Sequence, residues 1–547
     1  MTLGSQRRYA IAAYLILASV YLLYLPHAEF VLDDWLVLRR YQEVRQAGAA
    51  AQIKMLVAII ENQFHGQFRF QWLSFSFAYL LFLAVGYSPK VIFAVFLLLH
   101  VASALVLRDV LERLKIGAGP AFLGGAVFLL LPSTHGPVFW SHNCSYYIWS
   151  TFWFLLYMRS LAASFAAGRL TAPAAGRQAL FLTLALFSGD PIFCLLLAGA
   201  PLAAWYLHSK AGRKATLLAW STVGIMGALY ALLINRARII QAGVGLRYSF
   251  THANLRSNVH SILETYGRLT GFATGSFYAI QPTFTALAFA ALAASLVIFG
   301  LKMCEARRAP IRRTLLLAAG LWAAAYGPIW FLLAHEFRYD YVPSPYLALG
   351  IAALVCWSPA LRLPLAGALM AWLAAANVAD IRQCWIPQSD NLRLVARSLR
   401  ATDPRPGDLI IVSQTPMWIG TAPNFAFLAS WASTPFAEHV TGVHGLETGT
   451  DIIDEGGRLR VFHYDHLEDL TPERAAHTVL LVEEGNGRIG RRHLLADEAR
   501  PGGYRLYALK GYTGPEVPSV DVTRERLSFL EGDIYFARRY AHHKYEH

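Results

Sequence analysis

Residues 89–107 read PKVIFAVFLLLHVASALVL, an almost unbroken apolar run long enough to cross the hydrocarbon core of a bilayer. Of the 547 residues in the chain, 56% are hydrophobic and 15% are charged, and the mean hydropathy is +0.39. An ordinary soluble protein carries about 25% charged residues, so this composition predicts a polytopic α-helical membrane protein with about eleven transmembrane helices. The other predicted spans are 9–25, 119–134, 146–164, 178–189, 191–208, 215–235, 279–301, 314–334, 345–361 and 363–379.

The positive charge of the chain lies in this apolar part. The net charge is +13, whereas residues 386–547 contain 22 acidic and 18 basic residues, so the first 385 residues carry +17. Basic residues mark cytoplasmic loops, and they collect on one side only if the apolar stretch 70–86 does not cross. We therefore predict that 70–86 lies at the outer surface after an amphipathic stretch near 38–62. The N-terminus is then cytoplasmic and the C-terminal domain is extracytoplasmic.

A change of pattern after Trp385 divides the chain into a membrane domain, 1–385, and a soluble domain, 386–547. Short apolar runs at 407–414, 477–484 and 504–511 are bounded by Gly and polar residues, which is typical of buried strands. An amphipathic helix is predicted over 391–401. We expect a small extracytoplasmic α/β domain.

Carboxylates are scarce on the predicted external side, and two of them are adjacent. Asp33 and Asp34 follow the first span in FVLDDWLVL (30–38). Two neighbouring carboxylates at a membrane surface are costly to desolvate together, which favours proton uptake by one of them and suits a general base. The alternative is a polar loop that caps the following helix.

A second group of candidate residues lies in HEFRYDYVPSPY (335–346), where Glu336 and Arg338 precede Tyr339 and Tyr341. A guanidinium can hold a phosphate through two parallel hydrogen bonds, and aromatic faces can flank lipid or sugar. The alternative is an interfacial aromatic belt with a structural pair of arginine and carboxylate.

Two further sets of residues are candidates for ligand contact. Arg236 and Arg238 end the seventh span near the external headgroups, where they can hold a lipid phosphate or make ordinary headgroup contacts. His100 lies inside the second span and His135 follows the third. A histidine within a membrane is a candidate to line a substrate path, and a hydrogen bond between helices is the alternative.

Other function classes find little support in the sequence. It contains no spaced set of metal ligands and no P-loop, so we expect no protein-built metal site and no direct use of ATP, with a divalent cation left open. The basic residues lie at span ends rather than in patches with stacked aromatics, which excludes nucleic acid as a partner.

The order of these motifs resembles the GT-C superfamily of polytopic glycosyltransferases over about residues 10–360. The chain is most similar to the membrane half of the transmembrane-and-tetratricopeptide O-mannosyltransferases and their bacterial relatives. Residues 30–38 resemble the Asp-Asp motif of that family and residues 68–107 its re-entrant segment and second span. LLPSTHGPVFWS (130–141) resembles its Leu-His-Pro-x-His segment, and FRYDYVPS (337–344) its Arg-Tyr-x-Tyr-x-Pro-Ser loop.

The sequence also departs from the family pattern. Phe70 stands where the family usually has Pro, and Leu131 stands in place of the first His of the Leu-His-Pro segment. No 34-residue repeat follows residue 385, so the tetratricopeptide array is missing. The acceptor therefore need not be a protein.

The resemblance implies an enzyme that transfers one sugar from a polyprenyl-phosphate donor to a glycan, lipid or protein acceptor outside the bacterial cytoplasmic (inner) membrane. In such a reaction, Asp34 or Asp33 would deprotonate the acceptor hydroxyl, and Arg338 would stabilise the departing phosphate. Arg236 and Arg238 would help to hold the donor. The alternative is a transporter or flippase for a lipid-linked saccharide, which predicts ionisable residues at mid-membrane and repeat symmetry. A third class is a non-catalytic assembly protein.

Overall fold

The computed structural model is mostly helical, with a six-stranded sheet and a two-stranded sheet in its C-terminal part. It describes residues 3–31, 34–65, 71–114, 116–140, 145–167, 171–189, 310–327, 337–355, 362–412, 430–453, 459–463, 466–469, 471–483 and 505–509, together with single positions and pairs between them. The predicted spans 191–208, 215–235 and 279–301 lie largely or wholly outside the described residues, as do Asp33, Arg236, Arg238 and Glu336.

The helices of the N-terminal part are connected by short breaks. They are α1 (Leu3–Ala18), α2 (Asp34–Gln46), α3 (Ala49–His65), α4 (Trp72–Val85), α5 (Pro89–Arg113), α6 (Ala118–Leu130), α7 (His135–Phe139), α8 (Ser145–Ala166) and α9 (Ala172–Ser188). Helix α1 continues into two 3-10 turns, Ser19–Leu23 and Leu25–His27, and a third, Pro132–Thr134, separates α6 from α7.

The later helices lead into the C-terminal sheet. They are α10 (Pro310–Ala325), α11 (Ser344–Val355), α12 (Arg362–Asp380), α13 (Ile386–Thr402), α14 (Ser430–Thr441) and α15 (Pro472–Ala476). A 3-10 turn, Phe337–Tyr341, precedes α11, and a π-helical turn, Ile381–Trp385, joins α12 to α13.

Helices α1 and α6 lie parallel to each other, as their hydrogen bonds show. The Tyr14 hydroxyl donates to the Phe122 carbonyl at 2.9 Å, and the Tyr21 hydroxyl donates to the Leu129 carbonyl at 2.6 Å. The donors and the acceptors are both seven residues apart in the same order, which requires parallel axes. Such side-chain hydrogen bonds between helices are a common bond in membrane bundles.

Helix α5 runs in the opposite direction. The Tyr21 ring lies 6.0 Å from the His100 ring, and the Tyr24 ring lies 5.5 Å from the Phe93 ring. Later residues of the first segment therefore contact earlier residues of α5. We call the end where α1 leaves the bundle and α5 enters it the upper end, and the opposite end, with Arg108, the lower end.

The segment between α1 and α5 begins and ends at the upper end of the bundle, because α1 leaves the bundle and α5 enters it there. Helix α4, which covers the ambiguous stretch 70–86, has 14 residues, about 21 Å at 1.5 Å per residue, and a hydrocarbon core is about 30 Å thick. Helices α2 and α3 occupy the stretch near 38–62 that the sequence predicts to lie at the surface. These contacts agree with the prediction, made from the distribution of basic residues, that 70–86 lies at the surface.

The described residues include apolar helices compatible with a membrane. Two of these helices, Pro89–Arg113 and Arg362–Thr402, are long and apolar enough to cross a bilayer, or three if the pair Ala118–Leu130 and Pro132–Phe139, bent by 57°, counts as one span. Shorter apolar helices occur at Arg8–Leu23, Trp72–Val85 and Ser344–Val355. The number of about eleven spans stays a prediction.

The predicted strands in the C-terminal part form the parallel half of the larger sheet. The strands are β1 (Leu409–Val412), β2 (Trp418–Ile419), β3 (Ala422–Pro423), β4 (Glu447–Ile453), β5 (Leu459–His463), β6 (His466–Asp469), β7 (Thr478–Glu483) and β8 (Arg505–Leu509). The strand order in the larger sheet is β6-β5-β4-β1-β7-β8, and β1 is parallel to β4 and β7, while β7 is parallel to β8. Strands β1, β7 and β8 are the three runs predicted from sequence, whereas β4, β5 and β6 form an antiparallel meander that was not predicted.

The helical backbone is continuous across the predicted domain boundary at residue 385. Helix α12, the π-helical turn and α13 form one helical segment, Arg362–Thr402, and the predicted helix 391–401 is its last part. Helix α13 packs against the residues that follow α1: the hydroxyls of Tyr24 and Ser389 are 3.0 Å apart, and Arg393 forms an ion pair with Glu29 at 2.9 Å. Residues 386–402 therefore join the two parts of the chain.

Gly125 in α6 allows the close approach of α1 and α5. A Cβ atom there would lie 2.8 Å from the Ala104 carbonyl and would collide with the Tyr14 hydroxyl. We expect Gly125→Ala to lower the free energy of unfolding by about 1–3 kcal/mol, because the three helices must move apart. Thermal unfolding of the purified protein in detergent measures this change.

Gly119 provides the matched control in the same helix, since a Cβ there meets nothing within 4 Å. Gly119→Ala should change the unfolding free energy by no more than about 1 kcal/mol. Equal effects of the two substitutions would contradict the packing of α1, α5 and α6 described above.

Candidate functional site

Asp34 begins helix α2 and closes a tight turn with the preceding loop. Its Oδ2 accepts the Val31 backbone N–H at 3.2 Å, and its own N–H donates to the Val31 carbonyl at 3.0 Å. The residue is fully buried, and a carboxylate in the first helical turn is favoured by the helix dipole. The bond from Val31 closes the loop before α2 and is not a cap on the first N–H groups of the helix, and it fixes the carboxylate in place.

Aromatic side chains surround the turn that holds Asp34. The Trp35 indole N–H donates to the Phe30 carbonyl at 3.0 Å, and the Tyr87 ring lies 5.0 Å from the Phe30 ring. Partial burial and the nearby carboxylates of Glu29 and Asp34 raise the pKa of Tyr87. Tyr87 therefore stays a neutral hydroxyl beside these two acidic side chains.

The turn Phe337–Tyr341 presents Arg338 to two aromatic rings. Its guanidinium carbon lies 4.8 Å from the centre of the Trp140 ring and 5.5 Å from that of Tyr339. Arg338 also packs closely on α7, since a Cβ at Gly136 would lie 3.2 Å from the Arg338 Cα. A guanidinium flanked by aromatic faces suits a phosphate next to an apolar chain or a sugar.

His100 anchors this turn from inside the bundle. Its Nε2 lies 3.2 Å from the Leu129 carbonyl, which can only accept, so Nε2 carries the proton. The other nitrogen, Nδ1, is then the acceptor for the Tyr341 hydroxyl at 2.9 Å. His100 in this tautomer holds Tyr341 and, with it, the turn that carries Arg338.

Asp340 fixes the same turn from the other side. The Tyr326 hydroxyl donates to Asp340 Oδ1 at 2.5 Å, and the Ser344 hydroxyl donates to the Asp340 carbonyl at 2.6 Å. Ser344 is also 2.9 Å from the Ser133 hydroxyl. The Arg338 turn is thus bonded to α10, α11 and the segment between α6 and α7.

A buried polar cluster centres on His135 and includes two residues that sequence reasoning missed. His135 Nδ1 lies 2.5 Å from Asp380 Oδ2, and Nε2 bonds to Asn377 Oδ1. The Asn377 amide N–H groups donate to Leu130 and Leu373, which assigns its oxygen to His135. The Trp385 indole N–H donates to Asp380 at 3.1 Å.

A signal for Asn377 and Asp380 was present in the sequence. They are three residues apart in an otherwise apolar helix, and residues at that spacing share one face. Polar residues on one face of an apolar span indicate a buried partner. Asp380 falls one residue beyond the predicted span 363–379, and it precedes a π-helical turn, a distortion that often occurs at functional sites.

The structure brings the candidate residues of both motifs to the upper end of the bundle. Arg338 lies over Trp140, which directly follows Phe139. The Phe139 ring lies 4.5 Å from the Tyr24 ring, and Tyr24 belongs to the segment that leads to Asp34. The Phe93 ring, near the start of α5, lies 5.5 Å from both of these rings. These ring contacts connect the Arg338 turn to Tyr24, in the segment that precedes Asp34.

The predicted substrate-lining residues that the structure describes are His100, His135, Tyr339 and Tyr341. All four are buried, and both ring nitrogens of each histidine contact protein atoms. They hold the Arg338 turn and α7 in place, while their contact with a substrate stays a prediction. Among the residues that the structure describes, no three His, Cys, Asp or Glu side chains form a group that could hold a metal ion.

Comparisons with protein-family models and with curated proteins find no match to this chain. The resemblance to the GT-C superfamily therefore depends on the four quoted motifs.

Asp380 is the residue of the buried cluster whose charge can be removed most selectively. We expect Asp380→Asn to lower the free energy of unfolding by about 1–3 kcal/mol, because it disrupts the buried hydrogen bonds of the carboxylate to His135 and to the Trp385 indole. Thermal unfolding in detergent measures the loss.

Asp109→Asn is the control, because it breaks the partly exposed pair with Arg159 at the lower end. Such pairs contribute less than about 1 kcal/mol. If both variants unfold at the wild-type temperature, the His135 cluster does not stabilise the bundle.

Proposed function

We propose that this chain is an integral-membrane glycosyltransferase of the GT-C type, which moves a sugar from a polyprenyl-phosphate donor to an acceptor on the extracytoplasmic side. The proposal includes about eleven transmembrane helices in a bacterial inner membrane, with the upper end of the bundle and the C-terminal domain outside the cytoplasm. The acceptor is a glycan, a lipid or a protein.

The observation that carries the proposal is the position of Asp34 and Arg338 at one end of the bundle. A carboxylate is the usual base for a hydroxyl, and an arginine is the usual partner of a phosphate. These two side chains come from motifs far apart in sequence. Arg338 lies over the Trp140 ring, and the neighbouring Phe139 ring contacts Tyr24 in the segment that leads to Asp34. The order of the motifs along the chain, which resembles that of GT-C enzymes, is a second support for the proposal.

The lower end of the bundle supports the proposed orientation. Arg108 pairs with Glu112 at 2.5 Å, and Arg159 pairs with Asp109 at 3.2 Å, at the end where α5 finishes and α8 finishes. Arginines concentrated at one end of a bundle favour a cytoplasmic location for that end. The candidate site then faces outward, where nucleotide sugars are absent and a lipid-phosphate donor is the available kind.

In the proposed reaction, Asp34 and Arg338 have separate roles. Asp34 takes the proton from the acceptor hydroxyl as its oxygen bonds to the anomeric carbon. The bond from that carbon to the phosphate oxygen breaks through an oxocarbenium-like state. Arg338 stabilises the negative charge that develops on the departing polyprenyl phosphate. Asp33, Arg236 and Arg238 are further candidates for the base and for donor binding.

Replacing the proposed base tests the assignment directly. We expect Asp34→Asn to reduce transfer by about 10²–10⁴-fold, because an amide cannot accept the hydroxyl proton. The assay is reconstitution into vesicles with a panel of polyprenyl-phosphate sugars, following release of polyprenyl phosphate. Asp33→Asn measured beside it shows which of the two carboxylates is the base.

Glu61→Gln is the matched control, since Glu61 is an exposed carboxylate on the nearby surface helix α3. It should retain wild-type transfer. Full transfer by the double variant Asp33→Asn/Asp34→Asn would overturn the assignment of the base.

The geometry of Arg338 leads to a separate prediction for the donor. Arg338→Lys keeps the charge but loses the planar fork that can hold two phosphate oxygens and stack on Trp140. We expect transfer to fall by about 10-fold to 100-fold, a loss of about 1.4–2.8 kcal/mol. Steady-state rates across donor concentrations measure it, and a variant as active as wild type would contradict phosphate binding by Arg338.

The buried pair of His135 and Asp380 is a specific observation that supports the alternative function, a transporter. Transporters use ionisable residues inside the membrane for coupling, and this pair lies between helices α7 and α12. A flippase moves a lipid-linked saccharide between leaflets without breaking its glycosidic bond. Transbilayer movement of an intact donor in vesicles, with no polyprenyl phosphate released, would favour this function.

A further inference from the structure

The C-terminal domain contacts the helix that begins at Asp34. Helix α14 packs against α2, and the Trp35 ring lies 4.9 Å from the Phe436 ring and 5.3 Å from the His439 ring. The Tyr87 ring lies 4.8 Å from His439. Trp35 and Phe436 are both buried, so the contact excludes water beside the first turn of α2.

An ion pair one turn further along α2 strengthens this contact. Arg39 pairs with Glu438, a residue that is only 4% exposed. Glu438 also accepts the Gly445 N–H at 2.6 Å, so its charge is compensated from both α2 and its own domain. A buried carboxylate with such partners is costly to leave unpaired, which favours the docked arrangement.

The loop before Asp34 is held by the C-terminal part of the chain as well. His27 bonds to Asp390 at 3.1 Å, and Arg393 donates to the Pro26 carbonyl at 3.0 Å. The base candidate therefore lies between two segments, 24–31 and 35–46, that are both fixed by residues after 385.

His439 is suited to the contact between α14 and α2 because its ring is uncharged. Burial lowers the pKa of His439, and the positive charge of Arg400 lowers it further. Its ring is therefore neutral at neutral pH and packs against Trp35 and Tyr87 as an aromatic surface.

We propose that the C-terminal domain is a positioning element of the Asp34 site: α14, through Phe436, His439 and Glu438, holds α2 so that the Asp34 carboxylate stays aimed at the acceptor. This inference rests on the proposed function and assigns the domain a role in the rate of transfer. It differs from a domain that only binds a partner, because the contacts in question are within the chain.

The test compares the full-length wild type with Phe436→Leu, which keeps an apolar side chain in the domain but removes the ring that contacts Trp35. Two quantities are measured: kcat and KM for the polyprenyl-phosphate donor, and hydrogen exchange of the α2 amides. We expect kcat to fall about tenfold with KM unchanged, as for a misplaced catalytic group. We expect the α2 amides to exchange about tenfold faster.

Arg39→Gln is the second variant, which acts from the partly exposed side of the contact and leaves the domain core intact. It should change both quantities in the same direction. Glu447→Gln is the control, since it breaks an ion pair with Arg474, between β4 and α15 of the C-terminal domain. It should leave kcat and the exchange of α2 at wild-type values.

The outcomes separate the two proposals. A wild type that releases no polyprenyl phosphate from any donor defeats the proposed function. An active wild type, with Phe436→Leu and Arg39→Gln both indistinguishable from Glu447→Gln in kcat, defeats the positioning role. Faster exchange of α2 with unchanged kcat also defeats it, because the contact would then be structural only.

Discussion

The packing of the first helical segment against α6 and α5 is the constraint on which the rest of the structure depends. The hydroxyls of Tyr14 and Tyr21 bond to carbonyls of α6, and the Tyr24 hydroxyl bonds to Ser389 in α13. In an apolar environment water cannot replace these hydrogen bonds, so the register between α1 and α6 is strongly preferred. Helix α5 packs antiparallel to this pair, which places the end of α1 beside the start of α5 and brings the Asp34 turn to the upper end.

The buried cluster around His135 also fixes the positions of helices through hydrogen bonds between distant residues. Because Asn377 uses its N–H groups on Leu130 and Leu373, its oxygen faces His135 Nε2, which must donate. His135 Nδ1 lies 2.5 Å from Asp380 Oδ2, so both ring nitrogens have hydrogen-bond partners. A buried polar network with satisfied partners favours one arrangement of the helices. Here it defines where α7 lies, and α7 supports Arg338.

The sequence predicts those parts of the fold that have a strong local pattern. Strands β1 and β7 are continuous apolar runs because both faces of a central parallel strand are covered. Strand β6, HLED, and strand β4, ETGTDII, are polar for most of their length, so no alternation identifies them. Their pairing depends on neighbours distant in sequence.

The candidate site divides in the same way. The turn that fixes Asp34 and the contact of Arg338 with Tyr339 lie within short motifs, FVLDDW and FRYDY, whereas the contact of Arg338 with Trp140 joins distant parts of the chain. The bonds of His100 to Tyr341 and of His135 to Asp380 also join distant parts, since each partner lies more than two hundred residues away. The docking of Phe436 on Trp35 is likewise a product of the whole fold, and no local sequence pattern encodes it.

The breaks in the helices give a physical reason to locate a site at the upper end. Non-helical backbone at membrane depth is tolerated where protein buries it or where it lines a cavity. Three breaks, after α1, after α6 and before α11, meet at this end, and the hydroxyls of Tyr21, Thr134 and Ser344 bond to carbonyls there. Continuous helices would leave fewer polar groups to satisfy. Because the breaks lie together at one end, that end is suited to a site in which irregular backbone approaches a ligand. The two motifs proposed for transfer lie in or beside these breaks.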